Sequence, residues 1–387
     1  MSEPDAVTIR ILTSLDQVSA AEWDACAGGA NPFVSHAFLS AMEESGSATG
    51  RTGWAAQHLA IMGADGKLAG ALPLYLKSHS YGEYVFDHSW AAAYERAGGS
   101  YYPKLQCAVP FTPATGPRLL IRPDVEQEVV EAALIAGTQE VARRAGASSV
   151  HATFLPEEQA ARFEAMGFLV RTDQQFHWEN RGYRDFDDFL ESLNSRKRKQ
   201  TRKERRDALE NGVEVHALTG ADLKEEHWDA FYRFYVDTGN RKWGTPYLNR
   251  KFFHLIHQNM ADRILLVMAK RDGRWIAGAI NLIGTDALYG RNWGCVEDIP
   301  FLHFECCYYQ AIDFAISRGL SRVEAGAQGA HKLARGYLPK LTYSVHWLRD
   351  PGFQEAVARY LERERAQVEQ DVAFLTDHAP FRNAEPE

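Results

Sequence analysis

Residues 58–76 read HLAIMGADGKLAGALPLYL, and residues 265–283 read LLVMAKRDGRWIAGAINLI. Each stretch is an apolar run, an Asp-Gly pair (Asp65-Gly66, Asp272-Gly273), a basic residue, and a second apolar run carrying an Ala-Gly pair. Asp-Gly between such runs is a strong hairpin signal, because both residue types tolerate the positive φ of a tight turn. From residue 65 to residue 272 the offset is 207, just over half of the 387-residue chain. The spacing predicts one mixed α/β unit repeated in tandem, with a first domain over 1–180 and a second over 181–387.

Working outward, residues 123–146 have helical periodicity with a Gly stop, SSVHATF (148–154) reads as a strand, and PEEQAARFEAMGF starts a helix with Pro in its first turn. FHWEN (176–180) closes the first half. The second half gives a helix-rich opening (182–212), helices in 222–239 and 247–260, and the hairpin. A third strand DALYGRNWGC (286–295), a helix over 301–318, a strand VEAG (323–326) and a last helix from Gln354 to about Phe374 complete it. Helices mixed with meandering strands predict an α/β (α+β) fold with a mixed sheet.

Composition narrows the class. An apolar fraction of 45% and a charged fraction of 24% are those of a globular protein. A net charge of −8 argues against a dedicated nucleic-acid binder, although a local basic patch can coexist with it. The five cysteines show no CxxC pair and no disulfide-like spacing, so reduced thiols are expected. The N-terminus lacks a signal peptide and no apolar run is long enough to span a membrane, which points to a cytoplasmic protein that can touch the inner membrane surface.

Reactive side chains crowd between Trp293 and Trp347. His303, Glu305, Tyr308 and Tyr309 sit at one end of the 301–318 helix; Gln328, His331, Lys332 and Arg335 follow the VEAG strand among Gly326, Gly329 and Gly336. Glycines at a strand-to-helix junction let backbone N–H groups approach an anion or a developing oxyanion. The segment is not a Walker loop. RNWGCV (291–296) offers Arg291 and Gly294 for a pyrophosphate; alone it reads as an ordinary strand end. His303-x-Glu305 has the spacing of a zinc-deaminase pair, but no PCxxC follows and adjacent Cys306 and Cys307 diverge by about 100° on a helix, so no metal is expected. In SRKRKQTRKERR (195–206) eight of twelve residues are Lys or Arg, with Glu204 the one acid. As a helix these charges wrap most of the circumference, and like charges in a row repel unless a polyanion compensates. In the first half, the aromatic and Pro-rich segments 75–94 and 101–118 carry Lys77, Glu83, Asp87, Tyr101, Tyr102 and Lys104, residue types that line a groove as readily as they pack a domain.

Taken together, NPFVSHAFL, PLYLKSHSYGEYVFD, YYPKL, PFTPATGPR, QFHWEN, SRKRKQTRKER, LHFECCYYQAI, GAQGAHKLARGY and TYSVHW resemble, over nearly the whole chain, the FemAB-like (peptidoglycan biosynthesis or recognition) proteins of the GNAT acetyltransferase superfamily. The resemblance implies two tandem GNAT-like domains and transfer of an acyl or aminoacyl group to an amine without metal, from acyl-CoA or aminoacyl-tRNA. We expect acyl-CoA, because the net charge suits a large RNA poorly and no long heptad pattern could form an added helical arm. The acceptor would be a cell-wall precursor, an amino acid or a lipid amine. His303, Glu305 or His331 would take the amine proton, and Tyr308 or Tyr337 would return one to the leaving group. Arg291, Gly294, Gln328, Gly329, Lys332 and Arg335, helped by Lys199 and Arg202, would hold the donor. Lys77, Glu83, Asp87, Tyr101, Tyr102 and Lys104 would hold the acceptor. One departure stands out: the family pattern reads GAQGEHK, and here the Glu position is Ala330, so a carboxylate that could take a proton or pair with a cation is missing. The rival reading is a non-catalytic protein that recognises cell-wall or nucleic-acid polyanions.

Overall fold

A computed structural model describes residues 8–242, 246–326 and 329–382. The chain forms two compact units: residues 1–173 with 342–369, and residues 174–341 with 370–387. The units therefore differ from two contiguous halves cut at 180. Strand β9 carries the chain out of the first unit, β15 carries it back, and the last helix leaves again.

The first unit holds β1 (Ile9–Leu12), β2 (Trp54–Ala56), β3 (His58–Met62), β4 (Leu68–Leu72), β5 (Tyr75–Lys77), β6 (Lys104–Cys107), β7 (Leu120–Ile121) and β8 (Ser149–Leu155). Next come β9 (Leu169–Glu179), then β10 (Val213–Thr219), β11 (Ile264–Arg271), β12 (Arg274–Ile283), β13 (Ala287–Cys295) and β14 (Arg322–Glu324) of the second unit, and β15 (Leu338–Leu348). The helices are α1 (Ala20–Ala27), α2 (His36–Glu44), α3 (His88–Arg96), α4 (Gln127–Arg144), α5 (Glu157–Ala165), α6 (Phe186–Ser192), α7 (Ser195–Ala208), α8 (Glu225–Lys242), α9 (Arg250–Met260), α10 (Leu302–Phe304), α11 (Gln310–Ser317) and α12 (Pro351–Asp377). A π-turn, Glu305–Tyr309, joins α10 to α11 in one helical run.

Both Asp-Gly pairs close hairpins. In the second unit Arg271 pairs with Arg274, and Asp272 and Gly273 both have positive φ (51° and 73°), the two-residue geometry that matches strand twist. In the first unit Met62 pairs with Leu68 around a longer turn with Gly66 at φ 75°. Each hairpin lies in an antiparallel run, β1-β3-β4-β7 in the first unit and β10-β11-β12-β13 in the second. The first unit also has β15 and β8 antiparallel, β8 and β6 parallel, then β6, β5 and β2 antiparallel. In the second, β14 pairs parallel with β13 and antiparallel with β9. The fold is thus mixed α/β with mixed sheets, as the alternation of elements predicts.

Each unit has its own core. Leu59, Ile61, Leu72, Leu105, Val150 and Phe163 are fully buried in the first, and Trp178, Phe189, Leu265, Val267, Tyr309 and Val323 in the second. Two features of the second unit place the candidate site. First, β13 and β14 pair only at Ala287–Tyr289 against Arg322–Glu324. β13 then runs on to Cys295 beyond the end of that ladder. Second, a bulge sits where the strands part: Ala279 faces Trp293 and Asn281 faces Gly290, so Ile280 opposes both Arg291 and Asn292. Parallel neighbours need a crossover. Here the crossover is the helical run 302–317, which brings its first turns beside the chain leaving β14.

Candidate active site

The helical run begins under constraint. Phe301 has φ 64°, uncommon for a bulky side chain. A π-turn follows one turn later, an irregularity that often marks functional sites. It buries Glu305, Cys306, Tyr308 and Tyr309 together. On the other side, Gly326 (φ 76°) and Gly329 (φ 123°) turn the chain after β14, and a Cβ on Gly329 would come within 2.6 Å of the His331 ring. The 3-10 helix Ala330–Arg335 then presents His331 and Lys332.

Four side chains meet here. The Tyr308 hydroxyl and His331 Nε2 are 2.9 Å apart. The His303 ring lies 5.4 Å from Tyr308, 6.3 Å from His331 and 5.3 Å from Trp293. Lys332 is 2% exposed, its ammonium donates to the Gly326 carbonyl at 3.0 Å, and among the described residues no carboxylate pairs with it. A buried cation without an anion is costly, and that cost marks functional sites. Burial pushes the Lys332 ammonium down to about 8. Burial, then Arg335 and Lys332, hold His331 below its ordinary value, so its imidazole is neutral at pH 7. The fully buried Tyr337 packs its ring 5.5 Å from Tyr308 and donates to the Tyr308 carbonyl at 3.4 Å, which supports that tyrosine from behind.

Other sequence expectations land elsewhere. Glu305 is fully buried and turned to α7: Arg205 grips both its oxygens (Nε 3.1 Å, Nη2 2.9 Å) and Gln310 adds a third bond at 2.7 Å. A carboxylate so occupied is an ion-pair partner. Arg335 is likewise committed, to Glu204 at 2.9 Å and to the His331 carbonyl at 2.8 Å. A Cβ on Gly294 would sit 2.4 Å from the Phe234 carbonyl group, so that glycine lets α8 pack on β13. Arg291 sits at the bulge, half-buried. Gln328 lies outside the described residues. Lys199 and Arg202 are exposed on the outer face of α7, and Arg202 pairs with Asp187 at 3.0 Å.

The charges of α7 do not simply wrap it. Thr201, Glu204 and Ala208 form a buried stripe, and Arg205 turns inward to Glu305 and Asp313. Sequence reasoning passed over Asp313, and it noted Glu204, the Arg205 charge and Tyr309 without joining them in one network. The available signal was the i, i+3, i+7 spacing of Thr201, Glu204 and Ala208, three of the six residues in that helix that are not basic.

In the first unit the residues expected to line an acceptor groove form a buried ionic network. Lys104 bonds Glu83 (2.6 Å), Asp87 (2.5 Å) and Ser80 (2.8 Å), and Tyr101 donates to Asp87 at 2.7 Å. Tyr102, half-buried, reaches Ser80 at 2.8 Å. Lys77 lies 3.5 Å over the Trp54 ring and donates to the Tyr81 carbonyl. Lys77, Glu83, Asp87, Tyr101 and Lys104 are all at most 4% exposed, because the loop between β5 and α3 folds back over them. Burial pushes Lys77 down to about 7 and Glu83 up to about 6. On Lys104 burial is outweighed by the two carboxylates, which raise it.

Comparison with known proteins agrees with this architecture. The profile of the FemAB-like family, described as peptidoglycan biosynthesis/recognition, matches residues 14–383. No curated protein sequence matches the chain. Among solved structures, FemX is similar at 13% identity with TM-score 0.54, over 88% of this chain and 98% of FemX. The C-terminal domain of a putative lysylphosphatidylglycerol synthetase from Agrobacterium fabrum is similar at 9% identity with TM-score 0.53, over 89% and 95%. L-PGS from Bacillus licheniformis is similar at 11% identity with TM-score 0.50, over 83% and 95%. At these identities the likeness is one of fold.

Proposed function

This chain belongs to the FemAB-like family of peptidoglycan biosynthesis/recognition proteins, and on that premise we propose that it is an N-acyltransferase moving an acyl group from acyl-CoA to an amine where β13 parts from β14. The observation that carries the reading is Lys332, an ammonium buried with no carboxylate partner among the described residues, next to the Tyr308–His331 pair. The stretch of β13 beyond its ladder with β14 would take the amide-bearing arm of the donor, placing the thioester near Lys332. The amine attacks the carbonyl carbon, a C–N bond forms, and Lys332 with nearby backbone N–H groups offsets the oxyanion. Neutral His331, or His303 beside it, accepts the amine proton. The C–S bond then breaks, and the thiolate takes a proton from Tyr308, which regains one from His331. The net reaction gives an amide and a free thiol.

For the acceptor we propose an amine of a cell-wall precursor, an amino acid or a lipid. The family description supports the first, and a fold shared with the C-terminal domain of a putative lysylphosphatidylglycerol synthetase supports the last. No helix among the described residues is long and apolar enough to cross a membrane, so any lipid would be reached from the surface.

The first test is a thermal-shift titration with CoA and with short- and long-chain acyl-CoA. A saturable rise supports the reading, and absence of any rise overturns it. An aminoacyl-tRNA donor is the second reading, favoured by the exposed cations Arg196, Lys199 and Lys203, which have no acidic partner among the described residues. It requires tRNA binding that weakens steeply with salt and is lost when those three are changed to Gln.

A further inference from the structure

Glu204 takes no part in the acyl-transfer chemistry above, yet it is held as tightly as any carboxylate in the second unit. It is 4% exposed on α7. Arg335 Nη2 reaches one of its oxygens at 2.9 Å, the Tyr309 hydroxyl donates to the same oxygen, and Gln200 donates to the other at 2.9 Å. Arg335 is 6% exposed, with its guanidinium 3.3 Å over the Phe304 ring and Nη1 donating to the His331 carbonyl at 2.8 Å. The donors of a guanidinium are rigid relative to one another. Anchoring one end on Glu204 therefore sets where the His331 carbonyl can lie. The segment being held lacks stiffness of its own, since it enters through Gly326 and Gly329 and leaves through Gly336 at φ 86°.

We propose that Glu204 and Arg335 are positioning residues, a clamp from α7 that keeps His331 and Lys332 in line with Tyr308, and that Arg335 does not bind the donor. Its consequence for turnover rests on the acyl-transfer reading; the clamp itself does not. Removing Glu204 frees the guanidinium, the 330–335 turn loosens, and the bond between Tyr308 and His331 Nε2 is lost for part of the time.

The test is ¹⁵N NMR of the imidazole nitrogens in the full chain, with His331→Gln to assign the signal. In the wild type the two His331 nitrogens should sit at the limits of a single neutral tautomer, with the ring held against Tyr308. In Glu204→Gln, which keeps size and neutral hydrogen bonding, and in Arg335→Ala, the shifts should move toward the average of the two tautomers. Arg335→Lys should recover only part of the order, because an ammonium lacks the fork. CoA midpoints in the thermal-shift assay should stay within about twofold in all three, whereas kcat falls at least tenfold with little change in KM. A single tautomer retained in Glu204→Gln overturns the clamp, and so does a tenfold loss of CoA affinity in Arg335→Lys. If the wild type binds no CoA, the acyl-CoA reading falls while the tautomer result still decides the clamp. Glu204→Gln keeps the test decisive should Arg335→Ala fail to fold.

Discussion

In the proposed transfer, Lys332 and Ala330 are where the chemistry is tested at the scale of single residues. Lys332 is disfavoured by its own burial, so Lys332→Met should stabilise the protein by about 1–2 kcal/mol in urea denaturation while abolishing transfer. A variant that loses stability, or keeps its rate, contradicts the assignment. The pH profile follows from two groups with opposite demands. His331 must be neutral to accept a proton, and its lowered value puts that limb below pH 6.5; Lys332 must be charged, and that limb lies at about pH 8. A plot of kcat/KM against pH should therefore rise through the acid limb, stay flat near neutrality and fall above about pH 8. Ala330→Glu restores the carboxylate of the family pattern next to His331 in sequence, and a faster rate is expected; an unchanged rate removes position 330 from the chemistry. The sequence made His331, Lys332 and Tyr308 visible, because reactive residue types among glycines stand out without coordinates. It could not separate Glu305 from them, since a carboxylate that takes a proton and one that anchors an arginine are spelled alike.

At the scale of elements, α7 shows how one helix divides its duties. Its inner face ties down Glu305 through Arg205 and the 330–335 turn through Glu204; its outer face carries Arg196, Lys199 and Lys203 into solvent. Arg205→Ala leaves the Glu305 carboxylate buried without its cation and should cost about 3 kcal/mol or more in chemical denaturation. Changing Arg196, Lys199 and Lys203 together to Gln should alter stability by no more than about 0.5 kcal/mol, since exposed like charges contribute little. Equal effects from the two faces would contradict this division. The hairpins were legible because Asp-Gly specifies its own turn. The inward stripe of α7 was masked by cations at neighbouring positions, and the π-turn has no local signature: a one-residue irregularity changes which side chains share a face without changing composition.

Over the whole molecule, each unit keeps a buried polar network of its own. In the first, His151 and His346 stand opposite each other on β8 and β15 with their Nδ1 atoms 2.7 Å apart. One ring must donate and the other accept, so the two cannot both be protonated at Nδ1. Burial lowers both, His151 to about 3. Because these values lie below the ordinary histidine value, the unfolded chain binds more protons as pH falls, and stability present above about pH 6.5 is lost toward pH 3. His151 alone should account for roughly 3 kcal/mol between pH 7 and pH 4. Urea unfolding across that range should show the loss, and His151→Asn should flatten it; equal slopes would mean other groups dominate acid unfolding.

The sequence by itself determined the mixed α/β architecture, the two hairpins, and the segment in which reactive side chains gather. Those properties are encoded locally, in periodicity, turn chemistry and spacing. Only the tertiary structure decided that the chain crosses between units at β9 and β15, because that depends on which distant strands pair. It also decided that Lys77, Glu83, Asp87, Tyr101 and Lys104 are buried, that Glu305 pairs with Arg205 and Arg335 with Glu204, and that Gly294 packs against Phe234. Whether a charged or small residue reacts, binds or braces depends on the partner that reaches it, and those partners come from segments up to 131 residues away, as between Glu204 and Arg335.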